Sequence, residues 1–94
     1  MDEKIRSIIS DKLDEIFEKN DEITKIIGRL EHVWSGGSLD PKSLTYGVLI
    51  GRLYNSFYYQ HRRILGRDPT ENEFTEFLDM IKLEQKDFLL KLGF

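Results

Sequence analysis

At 94 residues the chain has room for one domain and one core, which at this size buries about 65% of the surface exposed when unfolded. A hydrophobic share of 39% with 33% charged residues excludes a disordered, collagen-like or membrane-embedded chain, and the absence of cysteine excludes disulfides, thiolate zinc sites and a cysteine nucleophile. The net charge of −3 argues against a general nucleic-acid coat, which would be strongly basic.

The first stretch is helical. Apolar residues fall at Ile5, Ile8, Ile9, Leu13, Ile16, Phe17, Ile23, Ile26, Ile27, Leu30, Val33 and Trp34, in the steps of three and four that place side chains on one helix face. Ile9, Ile16, Ile23 and Leu30 recur every seventh residue, as do Leu13, Asn20, Ile27 and Trp34, so the pattern is a heptad with Asn20 as its one polar seam residue. One helix over residues 3–34 would be about 48 Å long, against about 32 Å for the diameter of a compact chain of this size. Asn20-Asp21, two good caps and poor interior residues, marks the alternative of a break into two helices.

Ser35-Gly36-Gly37-Ser38-Leu39-Asp40 is the clearest loop, with Asp40-Pro41 as a helix cap followed by proline at the first helical position. The next helix is predicted over residues 41–65. Its apolar stripe of Leu44, Val48, Leu49, Ile50, Leu53, Tyr54, Phe57, Tyr58, Ile64 and Leu65 is wide enough for the central element of a bundle. Gly47 and Gly51, one turn apart, weaken that helix, and close approach of a neighbouring helix is the expected compensation. Gly66 reads as the helix stop and residues 66–69 as a turn. Thr70-x-x-Glu73 is a capping box before a last helix over residues 70–92, with a core face of Phe74, Phe77, Leu78, Ile81, Gln85, Phe88, Leu89 and Leu92, Leu83 off that face and Gly93 as the stop.

The expected fold is therefore all-α. It is a single domain over residues 1–94, an antiparallel bundle of three helices, or four if the first breaks at Asn20-Asp21. The run Ile64-Leu65-Gly66-Arg67-Asp68-Pro69-Thr70-x-x-Glu73 resembles the entry to the helix–turn–helix of bacterial sigma factors. It covers about a tenth of the chain. The residues shared are those a glycine stop and a threonine cap select, and the unbroken apolar pattern after Phe74 departs from the short helix and second turn of that family. The resemblance implies a turn into a capped helix and nothing about activity.

Catalytic and metal motifs are sparse. The two histidines, His32 and His61, lack a Glu-x-x-His or His-x-x-x-His partner, and both are expected at the surface or its boundary. Gly36-Gly37-Ser38-Leu39-Asp40-Pro41-Lys42-Ser43 approaches a phosphate-binding loop but has Pro41 where glycine is needed and follows a helix rather than a strand. There is no G-x-S-x-G nucleophile elbow, and the adjacent acids Asp14-Glu15 and Asp21-Glu22 read as solvated charge. No cofactor and no enzymatic activity are expected.

Two surfaces carry the functional expectations. The heptad face (Ile9, Leu13, Ile16, Asn20, Ile23, Ile27, Leu30 and Trp34) suggests a non-enzymatic interaction module, a homodimer that buries this face against its own helices and a second subunit, because a lone seam asparagine fixes the register of two strands; packing wholly within the chain could use the same stripe. The alternative is a small nucleic-acid-associated regulator. Residues 41–67 contain no acid but hold Lys42, Arg52, Arg62, Arg63 and Arg67 with all four tyrosines, and Arg52, Tyr59, Arg62, Arg63 and Arg67 are the candidate contacts to phosphates and stacked bases. The competing structural role for the same residues is tyrosines packed in the bundle and arginines paired with acids of neighbouring helices. A weaker third option is a small-ligand sensor with backbone access at Gly47 and Gly51. The first residues are acidic and lack the basic start and apolar run of a secretory signal. The longest nearly apolar stretch, Leu44 to Gly51, falls far short of the ~20 residues of a membrane span, and no N-x-[ST] site occurs, so a cytoplasmic location off the membrane is expected.

Overall fold

A computed structural model describes residues 1–18, 20–30 and 40–91 of the chain. These form α1 (Glu3–Glu18), α2 (Asn20–Leu30), α3 (Pro41–Gln60), a π-turn (His61–Leu65) and α4 (Glu71–Lys91), with no strand among the described residues. No helix among them is long and apolar enough to cross a membrane. Lys19, residues 31–39 (which include His32, Trp34, the predicted end of the first helix and most of the predicted loop) and the predicted stop at Gly93 lie outside the described residues, as do the side chains of Asn20 and Leu30.

Local chemistry sets the helix starts. The Asp2 carboxylate accepts from the backbone N–H groups of Lys4 (2.9 Å) and Ile5 (3.1 Å), which caps α1. Asp40 precedes α3, its carbonyl accepting from Leu44 N–H at 3.0 Å and its carboxylate from the Ser43 hydroxyl at 2.8 Å. The predicted capping box opens α4: Glu73 N–H donates to the Thr70 hydroxyl at 3.2 Å, and Thr70 N–H donates to the Glu73 carboxylate at 2.8 Å. Asn20 and Asp21 are both helical, in the first turn of α2 as it is described.

α3 is the central element, and α1, α2 and α4 each pack against it. The core is built from Ile5, Ile9, Leu13 and Ile16 of α1, Ile23 and Ile27 of α2, Leu49, Leu53 and Phe57 of α3, and Phe77 and Ile81 of α4. Full burial of such a side chain contributes about 1.5–3 kcal/mol. The residues of the seven-residue repeat whose side chains are described (Ile9, Leu13, Ile16, Ile23 and Ile27) are all 7% exposed or less within a single chain. The α1–α2 stripe therefore faces the chain's own α3 and α4, which cover the surface it would otherwise offer a partner. Of the flanking isoleucines, Ile5 is fully buried and Ile26 is exposed.

The helical run predicted over residues 41–65 ends at Leu65, and two burial expectations for α3 and α4 are corrected. The α-helix ends at Gln60, and residues His61–Leu65 wind as a wider π-turn closed by Gly66, which takes the left-handed backbone (φ 67°) and donates its N–H to the Arg62 carbonyl at 3.1 Å. His61, expected at the surface, is fully enclosed, because the buried stripe Thr45, Leu49, Leu53, Phe57 continues to it in steps of four. Tyr54, Leu65 and Leu78, counted with the apolar faces, are substantially exposed, since the helical run of residues 41–65 and α4 each bury a narrower stripe than their composition allows.

The glycine pair also differs from expectation. A Cβ added at Gly47 or Gly51 would meet nothing within 4 Å, so no described helix approaches this strip of α3. Gly51→Ala is thus expected to stabilise the protein by about 0.5–1 kcal/mol through lower unfolded-state entropy and better helix propensity. Urea denaturation would show a raised midpoint, and a destabilised variant would mean that something not seen here packs on the strip.

Candidate functional site

Two polar constellations flank the C-terminal half of α3. The first is the junction where the π-turn meets α4. Arg67 forms a two-pronged pair with Glu73 (2.7 and 3.2 Å), and Glu73 also serves the capping box with Thr70. The Arg67 guanidinium, followed by the Thr70 contacts, holds the Glu73 carboxyl down at about 2 despite its burial, while Arg67 is itself raised by the hydrogen bond to Glu73. His61 donates from Nδ1 to the Phe57 carbonyl at 2.7 Å, a direction fixed by the carbonyl being only an acceptor. Its Nε2 lies 3.4 Å from the Glu73 carboxylate without a hydrogen bond. Enclosure separates the imidazole from any dissolved substrate, so this cluster locks α3 to α4.

The same junction absorbs Arg62. Its Nε donates to Asp68 at 2.6 Å, which raises the guanidinium further, and its charge sits 5.6 Å from the centre of the Tyr58 ring. Both partners of the Arg62–Asp68 pair are well exposed, where such contacts contribute little to stability. Arg62 and Arg67 thus pair with acids close by in sequence, beyond the acid-free stretch.

The second constellation is a groove of about 330 Å³ between α1 and α3, lined by Lys12, Arg52, Asn55, Ser56, Tyr59 and Gln60. The α3 residues are spaced at i, i+3, i+4, i+7 and i+8, which makes them one continuous polar stripe. α1 packs along that stripe because its isoleucine face is drawn to Leu49, Leu53 and Phe57, and this brings Lys12 to the opposite wall. Two cations and four neutral polar or aromatic residues line the groove, with no carboxylate among them. Lys12 has Glu15 at 3.6 Å on its own helix. Arg52, half-buried, makes no hydrogen bond or ion pair with a described residue. Gln60 accepts from Arg63 Nε at 3.1 Å, which carries the positive edge one turn further.

The five nucleic-acid candidates therefore divide. Arg52 and Tyr59 line the groove, Arg63 adjoins it through Gln60, and Arg62 and Arg67 belong to the junction. Lys12, Asn55, Ser56 and Gln60 were not singled out by sequence. The three on α3 were legible as a helical stripe with Arg52 and Tyr59, whereas Lys12 is 40 residues from Arg52 and is placed only by packing. Among the described residues no group of three His, Cys, Asp or Glu side chains stands where it could hold a metal ion.

No protein-family model, curated protein or solved structure matches this chain at a significant level.

Proposed function

We propose that the protein is a non-enzymatic helical interaction module that takes an anionic partner in the groove between α1 and α3. The observation that carries this is Arg52. Arg52 is half-buried as a residue and makes no hydrogen bond or ion pair with a described residue, and an anion between it and Lys12 would pair with both cations. No carboxylate lines the groove, so an anion there competes only with Glu15, which lies 3.6 Å from Lys12 on α1. Titration with inorganic phosphate at low ionic strength, followed by backbone amide NMR, tests this. Shifts should centre on residues 12 and 52–60 and be lost in Arg52→Gln, and a spectrum unchanged by phosphate would overturn the proposal.

A homodimer is a second reading, favoured by the shape of the chain. Its radius of gyration of 14.7 Å exceeds the about 12 Å of a compact chain of this length. The far half of α4 also leaves Leu83 and Leu90 84% and 71% exposed. The described part of the α1–α2 stripe packs on the chain's own helices, and the exposed leucines of α4 are a further surface a second copy could cover. Light scattering coupled to size exclusion decides between a particle of about 22 kDa, twice the chain mass of 11.1 kDa, and a monomer at the chain mass itself.

A further inference from the structure

We infer that the ligand of the α1–α3 groove is a nucleotide, its phosphate held by Arg52 and Lys12 and its base stacked on Tyr59. This rests on the anion-binding role of the groove proposed above and names the chemistry of its partner.

Three features of the lining select a nucleotide over a bare anion. Tyr59 is 58% exposed and makes no ring contact with a described residue, whereas Tyr54 and Tyr58 are occupied with each other and with Phe74 or Phe57. An aromatic face left free beside two cations is the combination that binds a phosphate and a base together. Asn55 and Ser56, between Arg52 and Tyr59 on the same stripe, supply neutral donors and acceptors of the kind that read a base edge or a sugar hydroxyl. The groove volume of about 330 Å³ stands at the small end of ligand pockets, which admits a single nucleotide unit and no duplex.

Such a unit can be free or be one residue of a single strand, and both present the same phosphate and base. The test compares inorganic phosphate, adenosine 5′-monophosphate and an oligodeoxyadenylate hexamer at one ionic strength, read by amide shifts of residues 12 and 52–60. The monophosphate is expected to bind about tenfold tighter than phosphate, the gain coming from stacking. Tyr59→Ala should remove that gain and leave phosphate binding unchanged, while Tyr59→Phe keeps it. Arg52→Gln should weaken both ligands about tenfold or more. Tighter binding of the hexamer than of the monophosphate would assign the site to a strand, and equal binding to a free nucleotide; either agrees with the inference. A monophosphate that binds no better than phosphate would overturn the nucleotide assignment while leaving an anion groove. No response to any of the three probes would overturn both.

Discussion

Replacing Phe57 with alanine is expected to cost about 3–5 kcal/mol, the largest single-residue effect in the molecule. Phe57 is fully buried and stands where three elements meet. Its ring stacks on Phe77 of α4 (centroids 4.5 Å apart, 17° between planes) and meets the His61 ring at 4.5 Å, edge to face. Its carbonyl accepts the His61 Nδ1–H. Removing the ring therefore opens a cavity against α4 and exposes the enclosed imidazole. A small domain has only about 5–15 kcal/mol of stability, so the variant should be largely unfolded at 37 °C, and circular dichroism with urea titration would show it. Phe57→Leu, which keeps most of the volume, should retain the fold and lose less. A double-mutant cycle with Phe77→Leu isolates the stack, whose coupling is expected at about 0.5–1.5 kcal/mol. A Phe57→Ala protein as stable as the parent would mean that α4 is not docked through this ring.

The second large effect is at Glu73. Glu73→Ala is expected to cost about 2–3 kcal/mol, because one side chain caps α4, pairs with Arg67 and faces the enclosed His61. Glu73→Gln keeps the capping geometry and removes only the charge, so it should cost about half as much. The pH dependence follows from the carboxyl held near 2 in the folded protein, chiefly by Arg67. In the unfolded chain the same group takes up its proton around its ordinary value of 4.5. The stabilisation is therefore complete above that value and is lost as pH falls toward 2. Glu76, lowered by the amine of Met1 and then by Arg6, acts in the same direction, so the diagnostic is the difference between parent and variant. Urea midpoints measured from pH 6 down to pH 3 should fall more steeply for the parent than for Glu73→Gln. Parallel curves would show that the Arg67 pair contributes nothing to folding.

The resemblance of residues 64–73 to a sigma-factor turn has a local physical origin in these contacts. Gly66 takes the left-handed backbone that ends the π-turn, Thr70 and Glu73 exchange the two bonds of the capping box, and Arg67 clamps that glutamate. Each residue is used for joining two helices. After Phe74, α4 continues unbroken to Lys91, where a helix–turn–helix would turn a second time.

What the sequence determined by itself is local. Proline, glycine and cap residues act within a few positions, so the start of α3 at Pro41, the stop at Gly66 and the Thr70–Glu73 box follow directly from the residues. The three-and-four spacing of Ile5, Ile9, Leu13, Ile16, Ile23 and Ile27 likewise fixed which face of the N-terminal helices is buried. Periodicity names a face but not the surface that meets it. The seven-residue repeat suits a second copy or the chain's own helices equally well, and only the packing of α1 and α2 on α3 shows a cover within one chain. His61 reads as a surface or boundary residue, because a polar side chain is enclosed only when Glu73 and the Phe57 carbonyl are brought against it from two elements. The groove was invisible for the same reason. Arg52 and Tyr59 share a helical stripe in the sequence, but the opposite wall is Lys12, and a contact across 40 residues is decided by which apolar faces pack together, not by spacing along the chain.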